Sequence, residues 1–200
     1  MKLLRNLFGK KREPVIVVSG LPRSGTSMMM KMLAAGGLEI VTDNLREPNV
    51  DNPKGYFEFE RVKKLPDGDT AWLVDAQGKV VKIISALLKH LPAGYTYKVL
   101  FMQRRMEEIL ASQSKMLANR GEELQKVDDA QMAQLFEKHL AQAFAWMDAQ
   151  PNLHYMVVDY NQMLADPRPQ LEQVIAFLGN DLDMGAMMAA VDPSLYRQRR

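Results

Sequence analysis

The sequence contains no cysteine and only three histidines, and these scarcities exclude several kinds of chemistry. Without cysteine the chain has no disulfide, no thiolate metal ligand and no cysteine nucleophile. The three histidines, His90, His139 and His154, lie too far apart along the chain for a zinc motif. A metal, if one were bound, would need carboxylate ligands.

An excess of charge of either sign is also missing, as is any long apolar run. The chain has 26 basic and 24 acidic residues, a formal net charge of +2, which provides no global field for attracting nucleic acid. We therefore expect no nucleic-acid partner, and any anion site must be local. No stretch of about 18 uninterrupted apolar residues occurs, so we expect no transmembrane segment.

Residues 1–13 form a basic opening segment whose apolar residues are interrupted. It lacks the continuous apolar region of a signal peptide, which favours a cytoplasmic location and a flexible N-terminal segment. The remainder, 14–200, has the size and the apolar content of one domain, because 47% of the chain is hydrophobic.

Strand-like and helix-like stretches alternate along the chain. The β-branched run 15–19, ended by Gly20, predicts a strand that is buried on both faces. Further strands are expected at 79–85, 97–103 and 153–160, and helices at 28–37, 104–121, 128–149 and 167–180. Between them, 41–78 is rich in turn-forming residues and predicts a long excursion with short helical pieces. The order predicts a single α/β domain, with a mainly parallel sheet flanked by helices and ligands at the carboxyl edge of the strands.

A glycine loop follows the first predicted strand. Gly20 and Gly25 have the spacing of a phosphate-binding loop, in which backbone amides face an anion at a helix N-terminus. Thr26 stands where a nucleoside-triphosphate loop carries its lysine, and the basic residue of this loop is Arg23. The pattern favours a phosphate-like group held by backbone amides, one guanidinium and the hydroxyls of Ser24, Thr26 and Ser27, over a tight turn that merely happens to be basic.

The segment PRSGTS (22–27) resembles the 5′-phosphosulfate loop of sulfotransferases that use 3′-phosphoadenosine 5′-phosphosulfate. This family also has an arginine at the end of a later strand and a serine eight residues further on, a spacing matched here by Arg104 and Ser112. The stretch 157–179 is similar to the family's late strand and the helix that ends in Phe-Leu-Gly. The resemblance implies a P-loop-like fold and metal-independent transfer of a sulfonate from this donor to a hydroxyl or amine of an acceptor, with 3′-phosphoadenosine 5′-phosphate as product.

The resemblance also implies a set of donor-binding residues. The loop would hold the 5′-phosphosulfate, while Arg104 and Ser112 would hold the 3′-phosphate, with Arg105 as a competitor for the role of Arg104. Some members close that site with a late basic segment, so Arg197 is included although this chain lacks the usual Arg-Lys-Gly form. The full set is Pro22, Arg23, Ser24, Gly25, Thr26, Ser27, Arg104, Ser112 and Arg197.

Sulfonyl transfer also needs a group that stabilises the leaving phosphate and a general base. The resemblance gives the first role to Arg23. Cytosolic members have a histidine two residues after a lysine in a middle strand, but here Lys82 is followed by Ile84 at that position. Other branches use a glutamate after the loop helix, and we favour Glu58 as the base. The other candidates are Asp43, Glu47, Glu60 and His90.

Two other functions remain open at this point. A P-loop kinase or nucleotidase would use VVD (157–159) as its magnesium-binding strand, but it needs an outer-phosphate lysine that the loop lacks. A non-catalytic nucleotide-binding module is favoured by the isoleucine at position 84.

Overall fold

Four parallel strands form the centre of the part of the fold that the structure describes. The computed structural model describes residues 13–43, 57–119 and 128–191. The strands are β1 (Val15–Gly20), β2 (Val80–Lys82), β3 (Tyr97–Gln103) and β4 (Leu153–Asp159), in the spatial order β2-β1-β3-β4. In register, Val18 of β1 pairs with Lys82 on one side and Leu100 on the other. All four strands therefore end at one edge of the sheet.

Helices connect the strands and cover both faces of the sheet. The α-helices are α1 (Thr26–Ala35), α2 (Met106–Asn119), α3 (Asp129–Asp148), α4 (Tyr160–Ala165), α5 (Pro167–Leu178) and α6 (Met184–Ala189). Three 3₁₀ helices span Glu60–Asp67, Ala71–Val74 and Ser85–His90. The fold is thus the single α/β domain with a parallel sheet that the alternating pattern predicts.

Successive side chains of β1 point to opposite faces of the sheet, and a separate hydrophobic core layer lies on each face. Ile16 and Val18 face a layer built largely from α1, α5 and α6, while Val15 and Val17 face the 3₁₀ helices and α3. The first layer is rich in fully buried methionine, whose flexible side chain fills irregular gaps. These methionines are Met29, Met30, Met32, Met102, Met163 and Met187.

Most predicted elements are present, with shifted ends. The third strand lies at 97–103 as predicted, and the helix predicted at 167–180 ends one residue before Gly179, which caps it at φ 70°. The strand predicted over 79–85 was too long, since pairing stops at Lys82 and Ser85 opens a 3₁₀ helix. The helix predicted from 104 begins at Met106, because Arg105 supplies the first carbonyl acceptor of α2.

Parts of two predictions lie outside the described residues. The flexible segment expected at 1–13 is described only at Glu13, and the excursion expected at 41–78 is described except for 44–56. The described part of this excursion contains the two short helices Glu60–Asp67 and Ala71–Val74. Within the described ranges, no helix has the length and apolar character needed to cross a membrane.

Candidate active site

The glycine loop lies where the neighbours of β1 diverge. β1 runs into the loop at Gly20, with β2 on one side and β3 on the other. The chain continues from β1 to β2 on one side and then to β3 on the other, and such a reversal of strand order creates a crevice at the carboxyl edge of a parallel sheet. The loop that resembles a phosphosulfate loop therefore occupies the place where ligands bind in this class of fold.

Both glycines of the loop are required by close packing. A Cβ on Gly20 would lie 2.6 Å from the carbonyl oxygen of Met102, and one on Gly25 would lie 2.3 Å from a ring carbon of Tyr160. Their φ angles, 145° and 100°, are also ones that other residues rarely adopt. Arg23 itself has a φ of 70°, an uncommon conformation for a residue with a side chain.

Helix α1 starts directly behind the loop. Gly25 is its N-cap and contributes no side-chain cap, while the Gly25 carbonyl accepts hydrogen bonds from the amides of Met28 and Met29. The first turn contains no acidic side chain. The positive end of the helix dipole thus lies beside the loop, and this arrangement attracts an anion.

The structure brings together three of the residues predicted from the sequence. The Nε of Arg23 donates a 2.9 Å hydrogen bond to Oγ of Ser112 on α2, and a terminal nitrogen of Arg104 donates a 3.1 Å bond to the carbonyl of Arg23. Arg23 is more than 80 positions away from each of the other two in the sequence. The loop, the end of β3 and the middle of α2 therefore form one cluster.

Arg104 is part of a buried network that includes residues distant in the sequence. Its Nε donates to Oε2 of Glu108 at 2.9 Å, and its guanidinium lies 4.6 Å from the centre of the Tyr160 ring. Glu108 is fully buried, and its Oε1 accepts a 2.9 Å hydrogen bond from Nδ2 of Asn161. The i,i+4 spacing of Arg104 and Glu108 was the available signal. Tyr160 and Asn161, more than 50 residues away, gave none.

A cavity of about 310 Å³ opens beside this cluster. Its walls come from the loop, the end of β3, the start of α2, α3 and the end of β4. The lining residues are Leu21, Ser24, Met102, Gln103, Arg104, Arg105, Ile109, Leu140 and Asp159. Ser24 is fully buried, and its Oγ has no hydrogen-bond partner among the described residues. A buried hydroxyl without a partner is costly unless a ligand or water bonds it.

Asp159, the aspartate of VVD, has a structural role at this edge. Its Oδ1 accepts hydrogen bonds from the amides of Asn161 and Gln162 and so caps α4. The side chain of Gln170 bonds both the amide and the carbonyl of Asp159. Within the described ranges, no group of three or more His, Asp or Glu side chains has an arrangement that could hold a metal ion.

Glu58 lies at the same edge of the sheet, beyond β2. Its Oε1 is 3.7 Å from Nζ of Lys82, the last residue of β2, and this lysine is largely buried. The carbonyl of Glu58 accepts a 2.9 Å hydrogen bond from the Thr42 hydroxyl. A second candidate base, Asp43, uses its Oδ2 to accept the amide of Glu60 at 2.6 Å.

The other predicted residues differ in placement. Ile84 is 44% exposed, and the side chain after it, Ser85, lies 2.8 Å from Nε2 of His139 on α3, a contact that the sequence did not suggest. His90 ends the 3₁₀ helix that starts at Ser85. Pro22 is exposed, whereas Thr26 and Ser27 are half-buried at the start of α1. Glu47 and Arg197 lie outside the described residues.

Two shifted tyrosine pKa values belong to other parts of the molecule. Burial raises the pKa of Tyr97 at the start of β3, and its hydroxyl donates to the carbonyl of Pro92. A hydrogen bond to Asp148 raises the pKa of Tyr155. Tyr97 is at the beginning of its strand and Tyr155 is near the beginning of β4. They are therefore far along the strands from the loop.

A sequence-family model decides the family. The model of the sulfotransferase family matches residues 54–184, well over half of the chain. The chain belongs to the sulfotransferase family. The matched stretch begins after the glycine loop, so the family assignment does not depend on the resemblance of PRSGTS.

Solved structures share the fold of this sulfotransferase. The sulfotransferase domain of the Synechococcus PCC 7002 olefin synthase is 16% identical, with a TM-score of 0.52 over 96% of this chain and 90% of that one. The sulfotransferase domain from the curacin biosynthetic pathway is 15% identical, with a TM-score of 0.52 over 94% of this chain and 84% of the other. At such low identity the likeness concerns the fold alone. A search of curated protein sequences gives no significant match.

Proposed function

We propose that this sulfotransferase takes its sulfonate from 3′-phosphoadenosine 5′-phosphosulfate and passes it to a hydroxyl or amine of an acceptor, without a metal. The observation that carries the proposal is the contact of Arg23 with Ser112, together with that of Arg104 with the Arg23 carbonyl. A donor with phosphates at both ends needs two anion sites at a fixed separation. The loop with the start of α1 supplies one, and Arg104 with Ser112 supplies the other.

The unpaired Ser24 hydroxyl supports the fit of an anion. Ser24 is buried at the cavity wall, and its Oγ has no hydrogen-bond partner among the described residues. A phosphate oxygen placed there would accept a hydrogen bond from the Ser24 hydroxyl, which would give this buried group a partner. Thr26 and Ser27, at the start of α1, would provide further donors.

The reaction follows from these placements. The acceptor oxygen attacks the sulfur, a new S–O bond forms, and the bond between sulfur and the 5′-phosphate oxygen breaks. The electron pair of the broken bond stays on the phosphate, where Arg23 stabilises the growing negative charge. The acceptor proton passes to a base, for which we propose Glu58, and 3′-phosphoadenosine 5′-phosphate leaves.

Lys82 supports this choice of base. Its ammonium group lies 3.7 Å from Glu58 at the carboxyl end of β2, beside the strand that carries the loop. The positive charge holds the carboxylate at the edge of the sheet where the sulfonate would sit. Lys82 thereby positions the base, while Glu58 itself would contact the acceptor hydroxyl.

Calorimetry of the purified protein with 3′-phosphoadenosine 5′-phosphate tests the proposal, with ATP plus magnesium as the comparison ligand. We expect binding of the bisphosphate that persists in EDTA, and little affinity for ATP. Binding of Mg-ATP alone would overturn the proposal in favour of a P-loop kinase. Family membership argues against that alternative, as does the engagement of Asp159 as a helix cap.

Turnover separates an enzyme from a non-catalytic binding module. With radiolabelled donor and a panel of phenols, sugars, lipid headgroups and peptides as acceptors, an enzyme transfers label, and Glu58→Gln strongly slows the transfer. A binding module would take up the bisphosphate without transfer to any acceptor. The cytoplasmic location inferred from the opening segment stays a prediction.

A further inference from the structure

β4 is an edge strand, because it pairs with β3 and with no other strand among the described residues. We propose that the side of β4 that faces away from β3, which we call its outer side, pairs with β4 of a second copy of this chain. The two strands would run antiparallel about a two-fold axis at Met156. The proposal concerns a surface away from the glycine loop and does not depend on the proposed function.

The pairing with β3 decides which backbone groups of β4 face outward. Tyr97 of β3 is in register with Leu153, and its amide donates to the carbonyl of Asn152. In a parallel ladder, a residue bonds the residues before and after its register partner, and successive residues bond on opposite sides of their strand. Residues 154, 156 and 158 therefore bond β3. The amides and carbonyls that face outward belong to Leu153, Tyr155, Val157 and Asp159.

Both ends of the outer side are occupied by other parts of the chain. At the carboxyl end, the side chain of Gln170 bonds the amide and the carbonyl of Asp159, as a neighbouring strand would. At the amino end, the Leu153 amide donates to the carbonyl of the residue three positions before it. Between these ends, the backbone groups of Tyr155 and Val157 have no outward hydrogen-bond partner in the described part of the chain.

This open stretch suits a second copy because it is symmetric about Met156. With a two-fold axis at Met156, Tyr155 lies opposite Val157 of the second copy, and Val157 lies opposite its Tyr155. Residues with outward-facing groups then oppose each other, and each such pair exchanges two hydrogen bonds, so that all the open amides and carbonyls are satisfied. A tyrosine opposite a valine is also a favourable cross-strand pair.

The sequence of β4 has none of the devices that usually prevent pairing of an edge strand. Such strands are commonly protected by lysine, proline or a bulge. β4 reads LHYMVVD, and its register with β3 is continuous from Leu153 to Asp159. Its single carboxylate, that of Asp159, caps α4. A two-fold axis brings identical residues close together, so the lack of a lysine, arginine or carboxylate near Met156 avoids repulsion between the copies.

The outer side is also accessible. Val157 is 39% exposed, which is uncommon for a large apolar side chain in the described part of this protein, and His154 is exposed as well. A cavity of about 590 Å³ is lined by the amino half of β4 together with Asp148 at the end of α3 and Phe177 near the end of α5. The two helices that flank β4 therefore leave this part of the strand uncovered. Because the copies run antiparallel, their glycine loops would lie at opposite ends of the joined sheet.

Size-exclusion chromatography with light scattering, on the full chain over a dilution series, tests the pairing. We expect the wild type to reach twice the mass of one chain at high concentration, and Val157→Pro to stay monomeric. Proline removes the outward N–H of Val157 and no bond to β3, and an edge strand tolerates it at such a position. Val157→Lys should also be monomeric. The matched control, Val74→Lys, makes the same change at a valine that is 57% exposed, and should remain dimeric.

Amide hydrogen exchange followed by NMR gives a readout that needs no variant. In the dimer, the amides of Tyr155 and Val157 should be protected, and this protection should be lost on dilution. The amide of Met156, which bonds β3, should stay protected at every concentration. A dimer that forms through another surface would not change the exchange of Tyr155 and Val157.

The proposal is overturned if the wild type stays monomeric at its highest soluble concentration, with fast exchange at Tyr155 and Val157. The outer side would then be open to a strand of a different protein. A dimer that persists in Val157→Pro, or one that Val74→Lys also dissociates, would place the interface elsewhere and would equally refute the pairing. Circular dichroism and thermal melts show whether each variant is folded. If Val157→Pro does not fold, Val157→Lys and hydrogen exchange of the wild type decide the question.

Discussion

The ion pair of Arg104 and Glu108 should couple the stability of the domain to the integrity of the donor site. Replacing Arg104 with Met leaves the carboxylate of Glu108, which has no exposure to solvent, without its cationic partner. Breaking one side of a buried pair costs about 3–5 kcal/mol. For a domain of this size that corresponds to a fall in Tm of roughly 6–20 °C. Replacing Glu108 with Leu leaves a buried guanidinium unpaired, and should cost about as much.

Each single variant leaves one buried charge without its partner, whereas the double variant removes both charges. Arg104→Met/Glu108→Leu should therefore lose far less free energy of unfolding than the sum of the losses in the two single variants. Urea denaturation of the four proteins, followed by circular dichroism, gives the coupling free energy through a double-mutant cycle. We expect a coupling of about 2 kcal/mol or more. The hydrogen bond between Asn161 and Glu108 is lost in both variants that lack Glu108, so it cancels from the cycle. Additive effects within about 0.5 kcal/mol would refute the reasoning, since independent sites add within that margin. The double variant should still fail to bind 3′-phosphoadenosine 5′-phosphate, although it is folded.

Three further predictions concern the loop, the base and the helix cap. Gly25→Ala places a methyl group against the Tyr160 ring, at a position whose φ is 100°, so we expect a lower Tm and loss of bisphosphate binding. Gly94→Ala is the neutral control in both assays, because the surroundings of Gly94 are open. Glu58→Gln should reduce kcat by about 10²–10⁴-fold while the Kd of the bisphosphate stays unchanged; a normal kcat, or an equal effect of Glu60→Gln, would exclude Glu58 as the base. Asp159→Ala removes the side-chain acceptor of two amides at the start of α4. The free energy of unfolding, measured by urea denaturation, should fall by about 1 kcal/mol. An unchanged midpoint would show that the cap contributes nothing to stability.

The parts of the fold that the sequence predicts well are those with a local cause. The strand at 97–103 is built around the apolar run 99–102, and its ends agree with the structure. The glycine loop is recognised from the positions of Gly20 and Gly25, which the packing against Met102 and Tyr160 explains. Backbone freedom and periodicity are properties of a short stretch of chain, so they can be seen without knowing what packs on it.

The parts that the sequence does not predict depend on contacts between distant segments. Nothing near Asn161 indicates that its amide bonds a carboxylate 53 residues earlier, or that His139 lies beside Ser85. The i,i+4 spacing of Arg104 and Glu108 indicates a salt bridge, but the spacing alone does not indicate that the pair is buried. Arg104 lines the cavity and also makes the ion pair, and its role in donor binding stays a prediction.

The methionine-rich core layer gives the chain a built-in sensitivity to opening. In a protein without cysteine, methionine sulfur is the main site of reversible oxidation, and the sulfoxide is polar. The buried methionines on one face of the sheet are shielded from peroxide in the folded state, and become reactive when α1 or α6 detaches. Once oxidised, Met30 or Met187 could not return to an apolar layer without a large energetic penalty. A transient opening in oxidising conditions would thus be converted into lasting damage. A bound nucleotide would hold the N-terminus of α1 in place, and would thereby protect the methionine sulfurs of α1 that face the sheet.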